Sequence, residues 1–157
     1  MPPESPDPFE QLLRSHRRLE ERLEDLRRAA ADLDGPNHVE ARAYIDDSVR
    51  WLERSVGRHE LDEEQSLFPR LRAHVGLVGL LDKLEREHRE HERLHQALRD
   101  SAGKPAAEVS AVVRELAAAY RVHIDDEERE LFPAARPLLD EAARAAMLAE
   151  MDARRGR

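Results

Sequence analysis

A segment of eleven residues occurs twice in this sequence, at 59–69 and at 123–133. The two copies, HELDEEQSLFP and HIDDEERELFP, share a histidine, an Asp-Glu-Glu run and a final Leu-Phe-Pro at matching positions. Upstream of each copy, buried-type residues also match: Val49 with Val113, Leu52 with Leu116 and Val56 with Tyr120. These positions recur at helical spacing. The duplication therefore predicts one amphipathic helical unit used twice, with two like faces around a common axis.

The composition of the 157 residues also favours long helices. Ala, Leu, Glu and Arg are abundant, and these side chains lose little rotamer freedom in a helix. No alternating run of β-branched residues bounded by turns is present, so strands are not expected.

Proline and glycine divide the chain into helical stretches. Core helices are expected at roughly 8–34, 38–73, 78–101 and 105–135, with an extra helix at 138–154. The two Leu-Phe-Pro segments are interpreted as packing residues followed by a helix break. Four long helices with short connections predict an all-α fold. We expect a single domain, 1–157, built as an antiparallel up-down four-helix bundle with a short C-terminal fifth helix.

Several classes of protein are excluded by what the sequence lacks. There is no cysteine, so disulfides and thiolate metal sites are ruled out. The formal net charge of −8 argues against nucleic-acid binding. No apolar run approaches the ~20 residues that span a bilayer, and the first ten residues do not resemble a signal peptide. A cytoplasmic protein without nucleic-acid or membrane partners is therefore expected.

Histidine and glutamate recur four residues apart in each of the four long helices. At this spacing both side chains lie on one helix face, one turn apart. The pairs are His16/Glu20, His59/Glu63, His88/Glu92 and His123/Glu127. Glu20 and Glu92 are interpreted as surface partners of nearby arginines, whereas Glu63 and Glu127 have the register of metal ligands.

Three of these histidines belong to the apolar stripes of their helices. His16 follows Leu12 by one turn, and His59 and His123 follow Val56 and Tyr120 by three residues. A lone polar group is costly at such core positions, so several converging imidazoles need a shared partner. A divalent metal supplies one, and imidazole with carboxylate suits iron, manganese or zinc. Carboxylates one turn from the histidines could bridge two metal ions.

The third helix offers three histidines on one face, His88, His91 and His95. His123 lies about 17 residues into its helix, which on an antiparallel neighbour corresponds to the level of His88. We therefore favour His88 as a ligand, then His91, then His95. Tyr120 is expected to be a core aromatic residue, with a supporting or redox role beside His123 as the alternative. His38 and His74 fall at helix ends and are expected to be exposed.

Taken together, a lone histidine at His16, two His-x-x-x-Glu segments ending in Leu-Phe-Pro and a histidine-rich third helix resemble the hemerythrin-like, HHE cation-binding family. The similarity extends from Phe9 to about Met151. It implies an oxo- or hydroxo-bridged di-iron centre in a four-helix bundle, with zinc or manganese as substitutes. By this resemblance His16 and His59 ligate one iron, His123 and a third-helix histidine ligate the other, and Glu63 and Glu127 bridge them.

One difference from the family's sequence pattern narrows the range of expected functions. Oxygen-carrying members have an aspartate five residues after the last histidine, where this chain has Glu128. This feature resembles bacterial members and argues against reversible oxygen carriage. The ferritin-like alternative uses Glu-x-x-His; Glu85/His88 fits it, but no second copy stands on the first, second or fourth helix, so that fold is set aside.

Three functions remain open at the level of sequence. The first is a module that binds or senses oxygen, nitric oxide, peroxide or iron itself. The second is a di-iron enzyme that decomposes peroxide or processes nitric oxide, for which Tyr120 is the one candidate proton donor. The third is a structural bundle whose site fills with zinc. A small diatomic or peroxide ligand is the expected partner, and the sequence identifies no protein partner.

Overall fold

The computed structural model describes residues 7–157, and every regular element in that range is helical. This confirms the all-α prediction; residues 1–6, which contribute to the signal-peptide argument, lie outside the described range. The α-helices are α1 (Pro8–Ala31), α2 (His38–Trp51), α3 (Gly57–Asp62), α4 (Phe68–Leu71), α5 (Val75–Asp100), α6 (Ala106–Asp126), α7 (Phe132–Ala135) and α8 (Glu141–Arg154). A 3₁₀ turn, Arg136–Leu138, precedes α8.

Three single π-helical turns join some of these helices without a break. Leu52–Val56 lies between α2 and α3, Glu63–Leu67 between α3 and α4, and Glu127–Leu131 between α6 and α7. The last two begin at equivalent positions of the sequence repeat, so the duplication extends to the backbone. Such π turns inside α-helices are frequent at functional sites.

Both Leu-Phe-Pro segments lie at the ends of their helical paths, as expected, although each α-helical path ends two residues after the proline. The π turns end at Leu67 and Leu131, and Pro69 and Pro133 are the second residues of α4 and α7. The α-helical path ends at Leu71 in the first copy and at Ala135 in the second.

Helix α5 begins at Val75, three residues before the expected start at 78. Gly76 and Gly79 lie in its first turns, and neither has a positive φ. Both are accommodated in the first turns of the helix, at the modest cost of glycine in a helix interior.

The apolar core consists of two clusters. One includes Leu19, Leu52, Leu94 and Leu116, and the other includes Leu12, Leu67, Leu84, Leu131 and Phe132. On each of the four long helical paths, buried histidine or glutamate lies between the members of the two clusters. The polar layer is therefore enclosed by apolar side chains on both sides.

Ion pairs and hydrogen bonds hold helix α8 beside the polar layer. Asp62 is only 1% exposed and pairs with Arg154 at 3.0 Å and Arg155 at 2.7 Å. Glu150 accepts hydrogen bonds from Ser66 at 2.6 Å and from Arg70 at 2.7 Å. These contacts connect α8 to the segment that carries Glu63.

Across residues 7–157, no helix combines the length and apolar character that crossing a membrane requires.

Candidate metal centre

The polar layer brings together six of the histidine and glutamate side chains singled out in the sequence. Each is at most 6% exposed, and they come from α1, α3, α5, α6 and two π turns. They are His16, His59, Glu63, His88, His123 and Glu127.

These side chains form two groups with the spacing of metal ligands. His16, His59, Glu63 and Glu127 offer ligand atoms that all lie within 4.8 Å of one another. Glu63, His88 and His123 form a second such group. Because Glu63 belongs to both groups, the two candidate sites are adjacent and share a carboxylate.

Both glutamates lie between histidines of the two groups. Glu63 Oε1 is 3.4 Å from His59 Nε2 and 3.3 Å from His88 Nε2. Glu127 Oε1 is 3.2 Å from His16 Nε2 and 3.1 Å from His123 Nε2. The repeated His-x-x-x-Glu unit thus supplies two carboxylates, each placed between one histidine of either group.

Three of the four histidines are oriented by a carboxylate on the opposite side of the ring. Nδ1 of His16 is 2.7 Å from Glu128, Nδ1 of His88 is 2.8 Å from Glu64, and Nδ1 of His123 is 2.7 Å from Glu87. An ionised carboxylate accepts the Nδ1–H bond, which directs Nε2 at the centre. Such carboxylate–histidine pairs are the usual support of metal-ligating imidazoles.

Electrostatics in the layer keep negative charge on Glu63. Burial alone would raise the pKa of Glu63, but its close contacts with His59, His123 and His88 hold the pKa well below its usual range. Burial would likewise lower the pKa of His88, yet its contacts with Glu63 and Glu64 raise the pKa to about 10. By contrast, burial lowers the pKa of His59 to about 3, so this imidazole is neutral.

The buried polar atoms that lack hydrogen bonds fit a metal site. Within residues 7–157 these include both carboxylate oxygens of Glu63, Oε2 of Glu127 and Nε2 of His59. Leaving such groups without a partner in a protein interior is costly, so their concentration at one point calls for one. Imidazole nitrogens mixed with carboxylate oxygens are a donor set that iron, manganese and zinc accept.

The three histidines of α5 occupy different environments. His88 belongs to the second group, as expected from the level argument. His91 is buried outside both groups, with Nδ1 3.4 Å from Glu60 and Nε2 without a hydrogen-bond partner in the described chain. His95 Nε2 lies 2.6 Å from the hydroxyl of Tyr120. Ligation by His91 stays a prediction.

Four acidic residues at the centre were missed by the sequence argument. Glu64 and Glu128 each follow a candidate ligand, and their matching places in the repeat were a usable signal. Glu87 reaches His123 from another helix, which no local pattern reveals. Glu60 is 3.5 Å from His88 Nε2, and burial raises its pKa to about 8. The second copy of the repeat has Ile124 in its place.

The remaining candidates lie away from the centre. Glu20 is 46% exposed and pairs with Arg17, and Glu92 is 62% exposed and lies near Arg89. His38 and His74 are exposed.

Comparison with known protein families identifies a match. The family model for the hemerythrin HHE cation binding domain matches residues 7–135, which include all six side chains of the centre. No curated protein sequence matches the chain significantly, and no solved structure does.

Proposed function

The chain belongs to the hemerythrin HHE cation-binding family, and from this premise we propose that it is a non-haem di-iron protein that binds or senses a small ligand. The ligand class is oxygen, nitric oxide or peroxide, with iron itself as the alternative cargo. The observation that carries the proposal is the sharing of Glu63 by two buried ligand groups.

In this proposal His16 and His59 hold one iron, and His88 and His123 hold the other. Glu63 and Glu127 bridge the pair, which agrees with their distances to histidines of both groups. Glu60 and His91 are further candidate ligands on the side of His88. Zinc or manganese would be accepted by the same donor set.

When bound, a di-iron centre supplies redox chemistry and open coordination positions for small ligands. The surrounding side chains orient the metal ligands and limit the access of water to the centre. Glu64, Glu87 and Glu128 orient imidazoles and raise their basicity. The apolar clusters on both sides exclude bulk water, which strengthens every charge interaction inside.

We also propose that the four long helical paths form an antiparallel up-down bundle. Contacts between α1 and the α6–α7 path support opposite directions: Phe9 lies against Phe132, whereas Ser110 bonds to the carbonyl of Ala30. On α5, Lys83 pairs with Asp126 and Arg93 with Glu115, again in opposite order.

The enzymatic alternative needs a proton donor at the metal pair, and Tyr120 was the one candidate in the sequence. Its hydroxyl is instead hydrogen bonded to His95, and its ring packs against His91. The enzymatic alternative predicts gas evolution when peroxide is added to the iron-loaded protein, whereas the binding proposal predicts none.

The test of the proposal is reconstitution with ferrous iron followed by exposure to air. We expect about two irons per chain and visible absorption in the ~320–500 nm region. A colourless protein that holds a single zinc ion would contradict it. The cytoplasmic location and the absence of nucleic-acid or membrane partners remain predictions from the sequence.

A further inference from the structure

A buried polar pair, Tyr120 and His95, lies outside both ligand groups of the candidate centre. The hydroxyl of Tyr120 is 2.6 Å from Nε2 of His95, and the two residues are 1% and 5% exposed. Tyr120 belongs to the apolar cluster that includes Leu52, Leu94 and Leu116. Two apolar residues would fill such a place about as well, because replacing both partners of a buried hydrogen bond is often nearly neutral for stability. The pair therefore needs a role besides packing.

The sequence repeat shows that the helical unit does not require the hydroxyl of Tyr120. Val56 is the counterpart of Tyr120 upstream of the first copy, and it lies in the same apolar cluster. The unit thus folds with an aliphatic residue at this place. Tyr120 adds a phenol, and His95 of α5 adds the acceptor for its hydrogen.

Aromatic rings connect Tyr120 to the candidate centre. The ring centroids of Tyr120 and His91 are 4.0 Å apart, and those of His91 and His123 are 4.8 Å apart. His123 is a ligand in the proposed centre. Because rings at these separations touch, an electron has a continuous path between the phenol and the metal pair.

A proton has a separate route on the other side of the phenol. Burial lowers the pKa of His95 to about 4, so its imidazole is neutral and Nε2 accepts the hydrogen bond from Tyr120. An oxidised phenol is a strong acid, so even a weakly basic imidazole takes its proton. His95 also lines a groove of about 460 Å³ with Glu53 and Glu92, which are 39% and 62% exposed. A positive charge formed on His95 is therefore close to carboxylates and solvent.

We propose that Tyr120 is a one-electron donor to the metal pair and that His95 receives the phenol proton as the electron leaves. The inference rests on the proposed function, because the iron pair is the destination of the electron. It adds a reaction with the peroxide class of ligand, in which Tyr120 supplies an electron that the iron pair lacks.

The electrons and protons of this reaction balance. Reduction of one hydrogen peroxide to two waters consumes two electrons and two protons, and the protons come from solvent. A half-reduced pair, iron(II)iron(III), supplies one electron and becomes iron(III)iron(III), and Tyr120 supplies the other. The O–H bond of Tyr120 breaks, an N–H bond forms at Nε2 of His95, and a neutral tyrosyl radical remains. Without this donor, one-electron reduction would release a hydroxyl radical beside the ligands.

Electron paramagnetic resonance after rapid freezing tests the proposal. Iron-loaded protein is reduced by one electron per chain and mixed with one equivalent of hydrogen peroxide. We expect a radical with the hyperfine structure of tyrosine, which collapses when the protein contains ring-deuterated tyrosine. Fully reduced protein is the matched control, because its iron pair supplies both electrons and one equivalent of peroxide should then give no radical.

The chain has two tyrosines, so variants identify the one that carries the radical. Tyr120→Phe keeps the ring and should abolish the tyrosine signal. Tyr44→Phe should keep the signal, and because it leaves Tyr120 as the single tyrosine, it assigns the signal even if Tyr120→Phe does not fold.

His95 is tested by removing the imidazole and adding it back. His95→Ala should slow radical formation by about 100-fold, as is typical for loss of a positioned base. Imidazole added to this variant should restore the rate, because His95 borders the groove. His74→Ala, at an exposed position, should show neither the loss nor the response to imidazole. Bound iron is counted in every sample.

The inference would be overturned by a tyrosine radical that persists in Tyr120→Phe, or by half-reduced protein that holds two irons and gives no tyrosine radical. The second result would leave the di-iron proposal standing. An unchanged rate in His95→Ala would refute the role of His95. A protein that binds no iron would overturn the proposed function and this inference together.

Discussion

Glu64 lies 2.8 Å from Nδ1 of His88, and the two residues are 24 positions apart on different helices. Glu128, its counterpart in the second repeat, makes the equivalent contact with His16 at 2.7 Å. The two glutamates of each repeated Glu-Glu pair therefore have different roles. The first glutamate faces the centre, and the second holds a histidine in the tautomer that a metal needs.

Replacement of the second glutamate tests this division. Glu64→Gln keeps a hydrogen-bond acceptor but removes the negative charge that makes His88 more basic. Metal affinity should fall by about tenfold with the number of bound ions unchanged, as is typical for such supporting carboxylates. Competition with a chelator measures the change. Glu92→Gln, at a 62% exposed position, should bind metal as the wild type does.

Removal of a side chain at the metal centre should lower metal affinity more than Glu64→Gln does. His59→Ala or Glu127→Ala takes away a buried donor that no neighbour replaces. We expect metal to be lost, and with it the stabilisation that binding provides, about 2.7 kcal/mol at a metal concentration one hundred times Kd. Thermal unfolding with and without metal checks this. His74→Ala should change neither property, and a His59→Ala protein that kept both ions would show the assignment to be wrong.

Metal binding should release protons. In the metal-free protein Glu63 and Glu64 raise the pKa of His88 to about 10, so the imidazolium form is favoured at neutral pH. A metal ion must displace that proton, and affinity should therefore rise with pH up to about 10. Calorimetric titrations with zinc at about pH 8, in buffers of different ionisation enthalpy, count the protons released. No release per metal pair would contradict the protonated state of His88.

The raised pKa of His88 also affects the stability of the metal-free protein. The pKa of His88 is higher in the folded protein than its ordinary value of 6.5. Its stabilising contribution is therefore complete below about pH 6.5 and is lost as the pH rises towards about 10. Urea unfolding across this range should show the decline in metal-free protein. Metal-saturated protein should lack this decline, because the proton is already displaced.

Helix α8 should stabilise the segment that carries Glu63. Asp62 is 1% exposed and paired with two arginines that are themselves 16–17% exposed. Asp62→Asn leaves these cations without their partner and should cost about 2–3 kcal/mol of unfolding free energy, below the range for fully buried pairs. Asp152→Asn is the matched control, since Asp152 is 47% exposed. Equal urea midpoints for the two variants would refute a clamping role.

The central glutamates could be predicted because helical spacing places Glu63 and Glu127 on the faces of His59 and His123. His88 could be predicted from its height along the bundle, which matches that of His123 on an antiparallel neighbour. Glu87 could not, because its bond to His123 depends on how two helices are rotated against each other. The π turns also could not be predicted from the helical spacing in the sequence. Each adds one residue to a helical turn and so changes the direction in which the following side chains point.

The most direct test of the account is a crystal structure of the iron-loaded protein with anomalous diffraction measured at the iron edge. We expect two peaks about 3.5 Å apart, one against His16 and His59 and the other against His88 and His123, with Glu63 between them. A single peak, or two peaks that do not share Glu63, would contradict it.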